Sequence, residues 1–285
     1  MIFVILSVIC SISLAHFLKS TETQKLSTIN VLTVNYTIAV IVTLLMNQWN
    51  GLDLWPVFPI WFWLFSAVIG ALFIANFFVF SKSVDQNGVG VTIAAMRVSL
   101  ILPILISVVL YGEIMSYPKM TGIVLVFTAM ALFVLARRDL KLTGISSHIL
   151  LLALFLMTGI ADSSMKIYER EMVQVGSEAH FLGVVFFVAM VIGCIVSFKQ
   201  GHLQKINQKE IKYGSLVGIP NLLSSVFLIK ALAVMDASIA YSLINLLVIA
   251  GGTAIGVIIW KDKISRKEWT GLFVSAVAIV LLSYA

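Results

Sequence analysis

The chain has 285 residues, 60% of them hydrophobic and 11% charged, with a net charge of +6 and a mean hydropathy of +1.06. Soluble domains carry roughly 25% charged residues, so this chain cannot cover a water-facing surface and its solvent must be largely lipid. The basic residues stand in short clusters between apolar runs, which argues against a nucleic-acid surface and fits the clusters that orient a membrane protein.

Ten apolar runs follow one another, at about 2–18, 29–46, 58–80, 88–111, 118–136, 148–168, 179–198, 213–234, 238–260 and 267–284. A membrane helix needs about 20 apolar residues, and continuous runs of this length predict helices, not the alternating strands of a barrel. The connections are too short to hold a soluble domain. The first run starts without a basic n-region or an A-x-A site before Lys19, so it reads as a retained span. It carries His16, flanked by apolar residues, and Cys10. With Cys194 in the seventh run, that cysteine suggests neither a disulfide framework nor a CxxC site. The third run carries Asn76.

The fourth run holds one charge, Arg97, nine residues after Gly88. At 1.5 Å per residue that is about 13 Å deep, near the middle of a roughly 30 Å core. A central Arg costs about 2.5–3.5 kcal/mol to insert and defaults to a functional role. Two roles are open: a structural partner for a buried carboxylate, or a ligand for an anionic group of a substrate. Pro103 interrupts the same run and is a candidate hinge. Asp162 is the carboxylate well inside a span, in the sixth run. It can be the counter-ion of Arg97, a protonatable coupling group, or the i,i+4 partner of Lys166.

The eighth run places Pro220 directly before Asn221 in "VGIPNLLSS", as a broken helix beside a binding site would. Pro220 is therefore a second candidate hinge. The ninth run carries Tyr241, Ser242 and Asn245, then "AGGTAIG", whose Gly252 and Gly256 suit close helix packing. Single Asn and Ser residues commonly bond between membrane helices. The gathering of Asn76, Asn221, Tyr241 and Asn245 near one depth makes them candidates to line a cavity with Arg97 and Asp162. Lys19, Lys82, Lys166 and Lys230, near span ends, suit stems along apolar surface with the amine at the interface. Trp49, Trp55, Trp61, Trp63, Trp260 and Trp269 near span ends suit an aromatic belt.

The chain resembles itself. Glu113, Ser116, Thr121 and Gly122 recur as Asp262, Ser265, Thr270 and Gly271, each 149 residues later. Ser116 and Ser265 are predicted N-caps, and Ser265 with Glu268 fits a capping box. The expected organisation is two five-span repeats, 1–140 and 141–285. Five is odd, so the repeats cross the membrane in opposite senses, a signature of secondary transporters. The fold class is therefore an all-α integral membrane protein of ten transmembrane helices in two inverted repeats.

These features resemble the drug/metabolite transporter superfamily in its EamA-type branch. The likeness lies in five plus five spans and in acidic residues closing the fourth and ninth spans, each followed by Ser and a Gly-led span. It is strongest in "LIKALAVMDASIAYSLINLLVIAGGTAIGVIIWKDKISRKEWTGLF". The resemblance implies a pseudo-twofold bundle, alternating access, and export or import of a small metabolite. Some members couple protons through a carboxylate in the first span. This chain has only His16 and Lys19 there, which moves such a role to Asp162 or His16.

With the N-terminus outside, fourteen of the nineteen Lys and Arg fall in cytoplasmic loops and four outside, Arg97 being the remaining one. The positive-inside rule then predicts both termini outside, whereas the resemblance implies cytoplasmic termini. The expected function is a secondary active transporter in the cell (inner) membrane, a monomer or homodimer with no cofactor and no metal. It would carry a small polar metabolite, an amino acid or an organic anion, and a proton or ion gradient could drive it. A multidrug or cationic-compound exporter is the alternative within the class. Outside it stand a non-transporting structural membrane protein, against which the midplane polar residues argue, and an intramembrane enzyme, for which HExxH, GxSxG and paired carboxylates are all missing.

Overall fold

The computed structural model describes all residues except 54–55, 137–144, 200–205, 260, 262–263 and 285. The basic cluster Arg137, Arg138 and Lys141, the repeat boundary at 140/141, and Lys205, Trp55, Trp260, Asp262 and Lys263 lie outside the described residues.

The apolar runs fold as helices: α1 (Ile2–Thr23), α2 (Thr28–Trp49), α3 (Ile60–Asn87), α4 (Val89–Val98), α5 (Ile101–Tyr111), α6 (Tyr117–Ala136), α7 (Ile145–Ile167), α8 (Glu178–Lys199), α9 (Gln208–Leu232), α10 (Ala237–Ile258) and α11 (Arg266–Ser283). Among the described residues no strand occurs. α7 runs on into a π-helical turn, Tyr168–Met172. Nine described segments are long and apolar enough to cross a bilayer, with the α4–α5 stretch counted as Val91–Tyr111. The tenth predicted span forms α11, but Arg266, Lys267 and Glu268 open it and shorten its apolar part. The chain is a multi-pass membrane protein. Large side chains such as Val109, Val124, Leu152 and Phe273 stay exposed on the helices, as a surface solvated by lipid requires.

The predicted caps form. Ser265 accepts from the Glu268 N–H while Glu268 reaches back, a complete capping box. Ser116 Oγ accepts from the Lys119 N–H at 3.4 Å. Such caps satisfy orphan donors of the first turn.

The chain forms two compact units, each drawn from both halves of the sequence. The first comprises Met1–Ile74 and Ile167–Lys230, the second Ala75–Lys166 and Ala231–Ala285. The first is built on α2 against α8, the second on α6 against α11. α6 and α11 are the fifth helices of the two predicted repeats, and their contact is made twice. A Cβ at Gly122 would meet Leu282 at 2.7 Å, and one at Gly271 would meet Phe133 at 3.0 Å. Gly271 stands 149 residues after Gly122, and Leu282 149 after Phe133. α2 and α8 repeat the pattern. A Cβ at Gly193 would meet Thr33 at 3.1 Å, and one at Gly183 would meet Thr43 at 3.1 Å. Those residues correspond at a spacing of 150. In both pairs the start of one helix meets the end of the other, so the pairs are antiparallel.

Candidate substrate site

The fourth span, in which Pro103 is the candidate hinge, is two helices. It breaks at Ser99–Leu100, between α4 and α5. The turn tightens there, with Leu100 N–H donating to Arg97 O at 3.3 Å and Leu102 N–H to Ser99 O at 2.9 Å. Pro103 is buried in the first turn of α5, where a missing N–H is tolerated. Pro103 has no N–H for the Ser99 carbonyl one turn back and its ring crowds that carbonyl, so the interruption at Ser99–Leu100 is where Pro103 acts.

The break places Arg97 in the last turn of α4. The carbonyls of a helix C-terminus carry partial negative charge, which favours a cation there. Arg97 Nη1 donates to Asn245 Oδ1 on α10 at 2.6 Å. Among the described residues nothing else accepts from the guanidinium, which has five N–H donors. Asn245 is itself oriented, because its Nδ2 donates to the Tyr241 carbonyl at 3.0 Å. Tyr241 is 2% exposed and its hydroxyl donates to the Asp162 carbonyl on α7 at 2.6 Å. The Asp162 carboxylate and Arg97 act on each other electrostatically, but no direct ion pair joins them among the described residues. Arg97 is thus held by a neutral amide, with a carboxylate nearby that does not close on it.

Asn76, on the part of α3 in the same unit, exchanges hydrogen bonds with Thr158. Its Nδ2 donates at 3.1 Å, and Thr158 Oγ1 donates back to Oδ1 at 3.3 Å. Thr158 lies one turn before Asp162 on α7, so Asn76 braces the helix that carries the carboxylate. Five predicted residues, Arg97, Asp162, Tyr241, Asn245 and Asn76, thus lie in one unit, four of them in one contact chain. Lys166 is 2% exposed and its Nζ donates to the Leu232 carbonyl at 3.4 Å. Its amine is therefore buried against the last residue of α9.

The other predicted residues lie in the first unit. Asn221 Nδ2 donates to Asn35 Oδ1 on α2 at 3.1 Å. Pro220 is inside α9, and α9 comes so near α2 that a Cβ at Gly218 would meet the Asn35 carbonyl at 2.6 Å. His16 lies edge-on to Phe17, ring centroids 5.5 Å apart. Lys230 Nζ pairs with Glu178 at 2.7 Å.

The Arg97 unit holds a second polar cluster that the sequence does not mark as a site. Glu113, after α5, accepts from the N–H groups of Ala237 at 3.1 Å and Ser238 at 3.2 Å and from the Ser238 hydroxyl. It caps α10 in place of Asp236, the residue at the N-cap position, whose side chain makes no cap bond. Asp236 instead receives Lys119 Nζ at 2.5 Å, and that Nζ also donates to the Ile114 carbonyl at 2.8 Å. Lys119 is 3% exposed. In the sequence, the acidic residue closing the fourth span is visible only as half of a repeat signature; its partner on α10 lies 124 residues away. No group of three described His, Cys, Asp or Glu could hold a metal ion.

Residues 145–284 match the model of the EamA-like transporter family. An uncharacterized protein of Haemophilus influenzae is 24% identical over 296 aligned residues, covering 98% of this chain and 97% of its own length. A protein solved by crystallography shares the fold, with a TM-score of 0.82 at 13% identity, over 99% of this chain and 96% of that one.

Proposed function

We propose that this chain, whose residues 145–284 match the EamA-like transporter family, is a membrane transporter that moves a small polar metabolite by secondary active, alternating-access transport. The cargo is of the amino acid or organic anion class, and Arg97 binds its anionic group. The observation that carries this reading is the state of Arg97. A guanidinium within a span is costly, and an internal ion pair would be the expected compensation. Here one donor meets a neutral amide, and no described residue accepts from the rest. A carboxylate-bearing cargo supplies the missing acceptors through charge-assisted bonds. Asp162 is the candidate coupling group, since cargo bound to Arg97 changes the field at the neighbouring carboxylate.

The reciprocal contacts of α6 with α11 and of α2 with α8 support two repeats related by an inverting pseudo-twofold. Inverted repeats of this kind rock about a midplane site. Arg97→Ala should abolish counterflow of labelled carboxylate compounds in proteoliposomes while keeping a helical, monodisperse protein. Counterflow at the wild-type rate by that variant would reject the role given to Arg97.

A further inference from the structure

Hydroxyls on membrane helices usually satisfy themselves on a carbonyl one turn back. Ser163 donates to Gly159 O at 2.6 Å and Thr253 to Ile249 O at 2.8 Å in this way. Ser107 and Ser242 do not. Both are 0% exposed, and among the described residues their Oγ atoms have no hydrogen-bond partner. They belong to α5 and α10, which pack on each other. α5 ends at Tyr111, and α10 begins at Ala237 on the Glu113 carboxylate. By helical rise each serine lies about 6–8 Å in from that shared end.

On α10, Ser238, Ser242 and Asn245 fall at i, i+4 and i+7, a single stripe. Its two ends are known contacts. Ser238 Oγ donates to Glu113, beside Lys119 and Asp236. Asn245, about 10 Å further along, holds Arg97. Leu243, Ile244 and Leu246 around it are buried and apolar. The orphaned hydroxyls thus sit between two charged clusters, where buried polar groups ordinarily take water.

We propose that this stripe is a water-binding proton path from the Glu113 end of α10 to the Asp162 carboxylate. Each serine hydroxyl is one donor and two acceptors, so it can take a proton from one water and release its own to the next. Arginine does not deprotonate, so the last transfer goes through water past Arg97 to Asp162. Arg97 from α4 acts on that carboxylate, the Tyr241 hydroxyl from α10 donates to the backbone carbonyl of the same residue, and Lys166 lies one turn further along α7 with its amine on the Leu232 carbonyl. The proposal rests on the coupling role given to Asp162 above.

The test is infrared spectroscopy of the purified full chain in nanodiscs, with water itself as the probe. The C=O band of protonated Asp162, assigned by its loss in Asp162→Asn, shifts on transfer to D2O. Ser242→Val and Ser107→Val replace a hydroxyl by a methyl, and each should slow that exchange at least tenfold; Ser242→Thr should exchange like wild type. Both valine variants should also fold and melt no lower than wild type, because neither removes a protein–protein hydrogen bond. Wild-type exchange in both valine variants would overturn the path and leave Asp162 as the coupling group. Loss of folding in both would show the hydroxyls engaged structurally and would also overturn it. A protein with no protonated Asp162 band from about pH 4 to 9 would overturn the coupling role, and the path with it.

Discussion

Arg97 stands in a span whose other positions from Val91 to Tyr111 are uncharged, and the cost of that placement makes it legible in the sequence. Its partner is not legible there. Asp162 is the obvious acceptor on charge alone, yet the guanidinium meets Asn245, while Tyr241 takes the backbone of Asp162 and leaves its carboxylate free to act on Arg97 at a distance. Sequence polarity inside a span picks out which side chains need partners. It does not give the rotamers or helix offsets that decide which partner is reached. Tyr241 tests the arrangement at this scale. Tyr241→Phe removes one hydrogen bond to a backbone carbonyl and should lower stability by about 1 kcal/mol. Because the ring still packs, the fold should survive, and the loosened α7 should weaken cargo binding. Thermal unfolding of the detergent-solubilised variant measures the first; unchanged cargo affinity would show that Tyr241 does not position Asp162.

The helices themselves are readable from hydropathy, and the capping serines Ser116 and Ser265 from their spacing to the residues they cap. The break in the fourth span falls one turn before Pro103, at Ser99–Leu100, where a proline at 103 disturbs the helix. Pro103 cannot donate to the Ser99 carbonyl, which takes the Leu102 N–H instead, and the interruption puts Arg97 on a helix end, which the sequence does not show. The repeat spacing of 149 is also visible in the sequence, but its consequence for packing is not. Helix packing alone brings Gly122 onto Leu282 and its counterpart Gly271 onto Phe133. That reciprocity carries a prediction for the α6–α11 pair. Gly122→Leu places its Cβ 2.7 Å from Leu282 and should cost about 1–3 kcal/mol by overpacking. Adding Leu282→Ala should recover part of that loss. A double variant as unstable as the sum of the two single ones would contradict the contact.

For the whole molecule, nine described segments able to cross a bilayer agree with what composition alone requires, and residues 145–284 match a transporter family. Orientation is a separate matter, because charge bias and family resemblance point in opposite directions. The charge count rests on short loops, including "MNQWNGLDLWPVF", which holds no base. Short loops are where the positive-inside rule acts. The expected result is both termini outside: a reporter active only in the cytoplasm, fused at the C-terminus, should be dark, and a bright signal would reverse the assignment.

The central claim is that Arg97 faces an anionic group of the cargo, and ligand-dependent thermal unfolding tests it most directly. A ligand of the folded state stabilises it by about 2.7 kcal/mol at a hundredfold excess over Kd. The purified wild type and the Arg97→Ala variant should be screened against amino acids, organic acids, nucleosides and cationic drugs. At least one carboxylate compound should raise the wild-type melting temperature and leave Arg97→Ala unmoved. Stabilisation by cationic compounds alone, or equal stabilisation of both proteins by the same acid, would contradict the account.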